Sequence, residues 1–203
     1  MADQSKPNGS HLYDVATIGE TMLRISVSDG TPLETADTAS LHPAGAESNV
    51  AAALACLGRR VAWASRLPDS PPGRLVAGPL RRAGVDLSHV TWCETGRVGA
   101  FYVELTAPPT PVRVTYDRAD SCATRMTPAS MDWDRLLRTR LLHLTGITPA
   151  LSPDCLATTQ EAIARAKSLG VPVSFDVNYR AKLWPAQHAR EVLEPMLADV
   201  AVS

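Results

Sequence analysis

The chain has 203 residues, of which 45% are hydrophobic and 20% are charged, and its formal net charge at pH 7 is −1. This length suits one ordinary globular domain with a small appendage. The near-neutral charge gives no electrostatic reason to expect nucleic acid or a membrane as a partner.

The cysteines and the first residues bear on the compartment. Cys56, Cys93, Cys122 and Cys155 lie far apart, with no CxxC pair and no histidine at metal-ligand spacing. This pattern predicts reduced thiols rather than a zinc site or a redox pair. No signal-peptide core and no run of eighteen apolar residues occurs. We expect a cytoplasmic protein with a disordered head over residues 1–12.

The first half of the chain alternates strand and helix patterns. The predicted elements are a strand at 13–20, a helix at 45–58, a strand at 60–69 and a helix at 73–84. The two helices end at Gly58 and Gly84, because glycine readily takes the backbone conformation that follows a helix. This order predicts an α/β fold with an open, mainly parallel sheet covered by helices on both faces.

Two segments interrupt the alternation, at about 21–41 and 97–118. In the second, two stretches alternate with period two around the turn at 107–111, which predicts a hairpin with one exposed face. Extra antiparallel strands inserted into a β/α series indicate a small β lid.

Regular alternation then resumes. The predicted elements are a helix at 131–140, a strand and loop at 141–151, a helix from Ser152 to Gly170, a strand at 171–180 and a helix from about Ala186. Ser152 suits the N-cap and Pro153 the first helical position. The last residues, LADVAVS, resemble the beginning of another strand, so we expect that the chain ends within its fold.

The strand at 171–180 changes character along its length. Its apolar start gives way to Asn178, Tyr179 and Arg180, followed by Trp184. Polar groups at the carboxyl end of a strand are a common way for an open α/β sheet to present chemistry. Trp184 is better explained by packing.

Two other groups of residues allow two interpretations each. Gly45 and Asn49, at the start of the first helix, suit the binding of a polyol, or else simple packing of an alanine-rich helix on the sheet. In the hairpin, Tyr116 and Arg118 share a strand face, and we expect Tyr102 on the facing strand. That face suits a sugar acid, or else it is a solvated lid surface. The patterns alone leave both pairs of alternatives open.

The order of several motifs resembles the N-terminal half of a PfkB (ribokinase-like) carbohydrate kinase. The motifs are IGE, GAESNVAAALACLG, a hairpin ending in YDR, LHLTGITPALS and SFDVNYRAKLW. Within that family the chain is most similar to 2-keto-3-deoxygluconate kinases, over residues 13–203. The most diagnostic pieces are GITPALS and DVNYR with the following LW.

This resemblance implies a kinase that uses ATP and Mg²⁺ to phosphorylate a hydroxyl of a sugar acid. The implied substrate-binding residues are Gly45, Asn49, Tyr102, Tyr116, Arg118, the backbone at Ile147, and Arg180. Arg180 would also help to neutralise the transferring phosphoryl group, and Asp176 and Asn178 would order substrate, water or magnesium near the phosphates. We also expect a homo-oligomer formed through the β lid.

The GAGD motif that carries the catalytic aspartate of such kinases does not occur in this sequence, nor does a GxxxxGK phosphate loop. We therefore expect the base and most of the ATP site outside this chain, which would be inactive alone. One alternative is a non-catalytic sugar-binding or regulatory protein. Another is a kinase of the same family for a sugar such as fructose or for a nucleoside, which the Tyr116 and Arg118 pair disfavours.

Overall fold

The computed structural model describes residues 11–106 and 111–202. In chain order its strands and helices are β1 (Val15–Ile18), β2 (Met22–Ser26), β3 (Ser40–Ala44), α1 (Ala46–Cys56), β4 (Val61–Pro68), α2 (Pro71–Arg82), β5 (Val90–Cys93), β6 (Ala100–Glu104), β7 (Arg113–Asp117), α3 (Trp133–Leu136), β8 (Leu142–Thr145), α4 (Pro153–Ser168), β9 (Val173–Asp176) and α5 (Ala186–Leu197). The predicted α/β series is confirmed.

Five strands form a fully parallel main sheet with the spatial order β5-β4-β1-β8-β9. The chain runs outward from β1 to β4 and β5, and then returns to the other side of β1 with β8 and β9. The strand order therefore reverses between β1 and β8. In open α/β sheets, such a reversal leaves a crevice at the carboxyl ends of the strands, where ligands bind.

Helices cover both faces of this sheet because successive side chains of a strand point to opposite faces. Val15 and Trp63 belong to an apolar cluster that includes residues of α1 and α2. Ala16 and Ile18 belong to a second cluster that includes residues of α4 and α5. The alternation along β1 thus supplies one face to each cluster, as the sequence predicts.

The β lid is a separate four-stranded sheet with the order β3-β2-β6-β7. The predicted hairpin is confirmed, because β6 and β7 pair antiparallel, but β2 pairs parallel with β6. The lid is therefore mixed rather than wholly antiparallel. In the predicted segment 21–41, a short 3₁₀ helix at Leu33–Thr35 lies between β2 and β3, and β3 begins at Ser40. Residues 107–110 of the predicted turn lie outside the described residues.

Two predicted elements are shorter in the structure. The helix expected at 131–140 covers only Trp133–Leu136, because the Arg138 carbonyl accepts hydrogen bonds from the backbone N–H groups of Leu12 and Tyr13. Leu12 is thereby tied to the domain, while residues 1–10 of the predicted head lie outside the described residues. The strand expected at 171–180 ends at Asp176.

All four cysteines are free thiols, as predicted. Val202 forms an isolated parallel bridge with Ser174, which agrees with the predicted beginning of a strand. Within residues 11–106 and 111–202, no helix is both long and apolar enough to cross a bilayer.

We expect Trp184→Ala to lower the free energy of unfolding by about 3 to 5 kcal/mol, because it would leave a cavity in the core. Trp184 is 8% exposed and belongs to the α4 and α5 cluster, which anchors the segment that follows β9. Urea unfolding would measure the change. The control is Trp92→Ala at a side chain that is 36% exposed, for which we expect about 1 kcal/mol or less. Equal losses for the two variants would contradict the core role of Trp184.

Candidate functional site

A cleft of about 1220 Å³ lies between the carboxyl ends of the main-sheet strands and the β lid. Seven of the nine predicted site residues line it, namely Gly45, Asn49, Tyr116, Arg118, Ile147, Asn178 and Arg180. Tyr102 and Asp176 do not. Most of the predicted residues are therefore brought together around one cleft, while Tyr102 and Asp176 lie outside its lining.

The pairing of β6 with β7 decides which aromatic residues face the cleft. Phe101 lies opposite Tyr116, with ring centroids 5.7 Å apart, whereas Tyr102 lies opposite Thr115. Since directly opposed residues share one face of a sheet, Tyr102 points away from the face that carries Tyr116. The expectation that two phenols share this face is wrong, and the partner of Tyr116 is Phe101.

Arg118 is not a free side chain on the lid surface. Its Nε donates to Oε2 of Glu20 at 3.0 Å, and its Nη2 contacts the same oxygen. The two side chains are only 12% and 1% exposed. Ser121 Oγ donates to the other oxygen of Glu20 at 2.6 Å. This buried ion pair joins the end of β7 to the end of β1, and one edge of the guanidinium is already occupied.

Glycines make room for Glu20. A Cβ atom at Gly99 would lie 2.7 Å from Oε1 of Glu20, and a Cβ atom at Gly45 would lie 2.2 Å from the Glu20 carbonyl oxygen. Gly45 has an extended φ of −158° that any residue can adopt. Glycine is therefore required there by the close approach of the main chain, and not by the access of a ligand that the sequence suggests.

A second buried carboxylate, Glu47, lies in the first turn of α1 and is 1% exposed. Its Oε1 accepts hydrogen bonds from Thr145 Oγ1 at 2.8 Å and Thr148 Oγ1 at 2.6 Å. Burial raises the pKa of Glu47, although the two threonine hydroxyls and the nearby charge of Arg118 act in the opposite direction. Glu47 thus fixes the start of α1 against the loop after β8.

That loop carries Ile147, which lines the cleft. Its N–H donates to Thr145 Oγ1 at 3.1 Å, and its carbonyl oxygen accepts from the Ala150 N–H at 3.0 Å. The backbone at Ile147 is therefore held by the same threonine that binds Glu47. Only the carbonyl, with its second lone pair, keeps capacity for a ligand.

The end of β9 forms a tight turn instead of a continued strand face. Asp176 Oδ1 accepts from the Asn178 N–H at 2.9 Å, and its Oδ2 accepts from Asn178 Nδ2 at 2.7 Å. Asn178 has a φ of +42°, which asparagine tolerates better than most residues. Asn178 therefore lies in this turn and does not continue the strand face of Asp176. Asn178 Oδ1 is buried without a protein partner, so it offers an acceptor at the cleft.

Asn49 and Arg180 are exposed side chains that line the cleft. Within the described part of the chain, Asn49 makes no side-chain hydrogen bond. Arg180 there has no carboxylate within 4.0 Å, and its Nη1 donates only to the carbonyl oxygen of Tyr179, at 3.0 Å. Both side chains keep donors for a ligand, and neither is paired with a carboxylate as Arg118 is.

A sequence profile of the pfkB family carbohydrate kinases matches residues 13–202. The chain belongs to this family. It is 42% identical over 189 residues to a 2-dehydro-3-deoxygalactonokinase of Haloferax volcanii, and 34% identical over 174 residues to a 2-dehydro-3-deoxygluconokinase of Bacillus subtilis. These matches cover 93% and 86% of this chain.

The pfkB fold is also shared with solved structures. A 2-dehydro-3-deoxygluconokinase from Thermotoga maritima superimposes with a TM-score of 0.87 at 37% identity, over 92% of this chain and 57% of that structure. The chain spans 59% of the length of the Haloferax relative and 54% of the Bacillus relative.

Three features of this pfkB cleft could not be assigned from the sequence. Glu20 and Glu47 stand within the quoted motifs, but carboxylates are usually exposed, so nothing indicated that both are buried. Glu20 follows the buried strand β1 by two residues, which places it at the carboxyl edge of the sheet but does not indicate its burial. Phe101 was passed over because the register of the hairpin was not known.

Magnesium needs oxygen ligands or ordered water. Across residues 11–106 and 111–202, no three or more His, Cys, Asp or Glu side chains are grouped to hold a metal ion. Asp176 and the buried Oδ1 of Asn178 nevertheless present oxygen atoms at the end of β9, and these suit contact through metal-bound water.

We expect Glu47→Gln to flatten the dependence of stability on pH. Because the folded pKa of Glu47 is raised, its favourable contribution is fully present below the ordinary value of 4.5 and is lost as the pH rises through the folded pKa. Glutamine keeps an acceptor for Thr145 and Thr148 but carries no charge. Urea unfolding at several pH values from about 5 to 8 would measure this. Glu161→Gln, at an exposed ion pair, is the control, and unchanged pH dependence in Glu47→Gln would exclude this role.

We expect Arg118→Met to lower the free energy of unfolding by about 3 kcal/mol, because it leaves the carboxylate of Glu20 buried without its partner. The double variant with Glu20→Gln should recover most of this loss, since glutamine is neutral and still accepts from Ser121. Arg97→Met, at an exposed pair with Asp117, should change the same quantity by about 1 kcal/mol or less. A double variant no more stable than Arg118→Met would show that the ion pair is not the cause.

Proposed function

We propose that this chain carries the sugar-acid site of an ATP-dependent kinase that phosphorylates 2-keto-3-deoxygluconate or the closely related galactonate. The 2-dehydro acids in the names of its relatives are the same class of compound. The observation that carries the proposal is the cleft at the strand-order reversal, which places aromatic, amide and cationic side chains around one space. Those groups match the apolar faces, hydroxyls and carboxylate of a sugar acid.

The proposal assigns roles in sugar binding to five residues that line the cleft. The rings of Tyr116 and Phe101 pack against the sugar, and Asn49 and the Ile147 carbonyl bind its hydroxyls. Arg118 offers the edge of its guanidinium that Glu20 leaves open. Tyr102 has no part, because its side chain points to the other face of the lid.

When bound, ATP with magnesium supplies the phosphoryl group that is transferred. Arg180 would neutralise charge on the transferring group, and Asp176 and Asn178 would order water or magnesium near the phosphates. Phosphoryl transfer depends mainly on positioning and on neutralising charge, so these polar groups are suited to that role.

The carboxylates that line the cleft already have partners within the protein, so none of them is free to act as the catalytic base. Glu20 pairs with Arg118, Glu47 accepts from two threonines, and Asp117 pairs with Arg97. Within the described residues, the cleft lining holds no other carboxylate. A kinase needs a base for the accepting hydroxyl. We therefore propose that this chain binds the sugar acid but does not transfer phosphate by itself. Association through the β lid and a cytoplasmic location stay predictions.

Titration calorimetry on the 203-residue chain tests the proposal. We expect 2-keto-3-deoxygluconate to bind at least about tenfold more tightly than fructose or ribose, because charged hydrogen bonds are the stronger ones. Equal or tighter binding of the neutral sugars would overturn the sugar-acid assignment. Sugar-dependent consumption of Mg-ATP by the same chain would show that its base has been overlooked. If a protein with the full length of the relatives also consumes no Mg-ATP in the presence of the sugar acid, the non-catalytic alternative is favoured.

A further inference from the structure

Lys182 reaches across the cleft from the segment between β9 and α5 to the lid. Its Nζ donates to the carbonyl oxygen of Val114 in β7 at 2.7 Å. The same nitrogen lies 5.4 Å from the centroid of the Tyr116 ring, within the range of a cation–π contact. Since Tyr116 packs on Phe101, the ammonium group covers the end of a short aromatic stack on the cleft face of the lid.

The position of β7 explains what this contact does. Among the strands of residues 11–106 and 111–202, β7 is an outer strand of the lid sheet and pairs only with β6, so one of its edges has no strand partner there. Lys182 occupies one carbonyl of β7. Together with the Arg118–Glu20 ion pair, it holds β7 over the cleft at two points, of which the Lys182 contact is the exposed one.

The charge of Lys182 is not neutralised by the protein. No carboxylate of the described chain lies within 4.0 Å of its Nζ, whereas Arg118 is paired with Glu20. An ammonium group has three N–H donors, and the bond to Val114 uses one of them. Lys182 lines the cleft, as does Arg180. These two side chains are therefore the cleft cations that keep an unmatched charge for an anionic ligand.

We propose that Lys182 determines the specificity of this cleft for acidic over neutral sugars. It holds β7 and Tyr116 in place, and its remaining donors bind the carboxylate of the sugar. This inference rests on the proposed function, and it assigns the preference for an acid to Lys182 in addition to the arginine that the sequence singles out.

Two substitutions and one control test the proposal. Lys182→Met keeps most of the length of the side chain and removes its charge, while Lys182→Arg keeps a cation. Lys167→Met removes the charge of an exposed lysine that pairs with Asp199 outside the cleft. All three variants are made in the 203-residue chain.

The first measurement needs no ligand. Hydrogen–deuterium exchange of residues 111–118 should be about threefold to tenfold faster in Lys182→Met than in the wild type, because one charged hydrogen bond to β7 is lost. Lys182→Arg should stay close to the wild type, and so should Lys167→Met. Unchanged exchange in Lys182→Met would overturn the contact with β7 as a means of holding the lid.

The second measurement compares binding of 2-keto-3-deoxygluconate with binding of fructose. Lys182→Met should weaken the acid by about tenfold and change fructose little, and Lys182→Arg should restore most of the difference. Equal losses for both sugars would overturn the role in specificity, since a purely structural residue would affect both. If the wild type binds no sugar acid, the proposed function itself fails, and with it the assignment of specificity, while the exchange data still decide the contact with the lid.

Discussion

The buried ion pair between Arg118 and Glu20 is the interaction on which the cleft depends. It connects the end of a lid strand to the end of the central strand of the main sheet, and it is almost completely withdrawn from solvent. A buried charge needs a partner and further hydrogen bonds, and Ser121 supplies one of these. Gly99 follows from the same pair, because a larger residue would collide with the Glu20 carboxylate, while Gly45 makes room for the main chain of Glu20.

Glu47 complements this arrangement on the other side of the strand-order reversal. It joins α1 to the loop after β8 through two threonine hydroxyls, so the elements that carry Asn49 and Ile147 keep one relative position. Both carboxylates thus serve the geometry of the cleft. Under the proposed function, contact with a ligand falls to Asn49, Arg180 and Lys182, which keep hydrogen-bond donors for it.

The sequence predicts the fold well because the fold follows from local patterns. Period-two segments with turn residues identify the hairpin of the lid, and alternating strands and helices identify the parallel sheet. The ends of elements are less certain, since they depend on partners distant in the chain. The expected helix at 131–140 is cut short by backbone hydrogen bonds with Leu12 and Tyr13, which no local pattern contains.

Sheet topology, which follows from local patterns, determines which site residues can be predicted. Motifs along the chain bring seven residues to the cleft, because the carboxyl ends of parallel strands meet at one edge. Whether Phe101 or Tyr102 lies on the cleft face of the lid depends on the register of the hairpin, because a shift of one residue moves each side chain to the opposite face. The burial of Glu20 and the reach of Lys182 depend on contacts between segments far apart in sequence, which composition and periodicity do not report.

The strand order also has a consequence for the sequence of events during folding. β1 lies in the middle of the main sheet, yet one of its two neighbours, β8, is made only after the lid and most of the chain between them. Closing so long a loop before parallel pairing can begin is slow. During synthesis, the edge of β1 that later pairs with β8 is therefore unpaired, and Ala16 and Ile18 lack their contacts with α4 and α5. At that stage β4 can already pair with the opposite edge of β1, and α1 can pack on its other face. This interval is when a nascent chain of this topology is most exposed to misassociation.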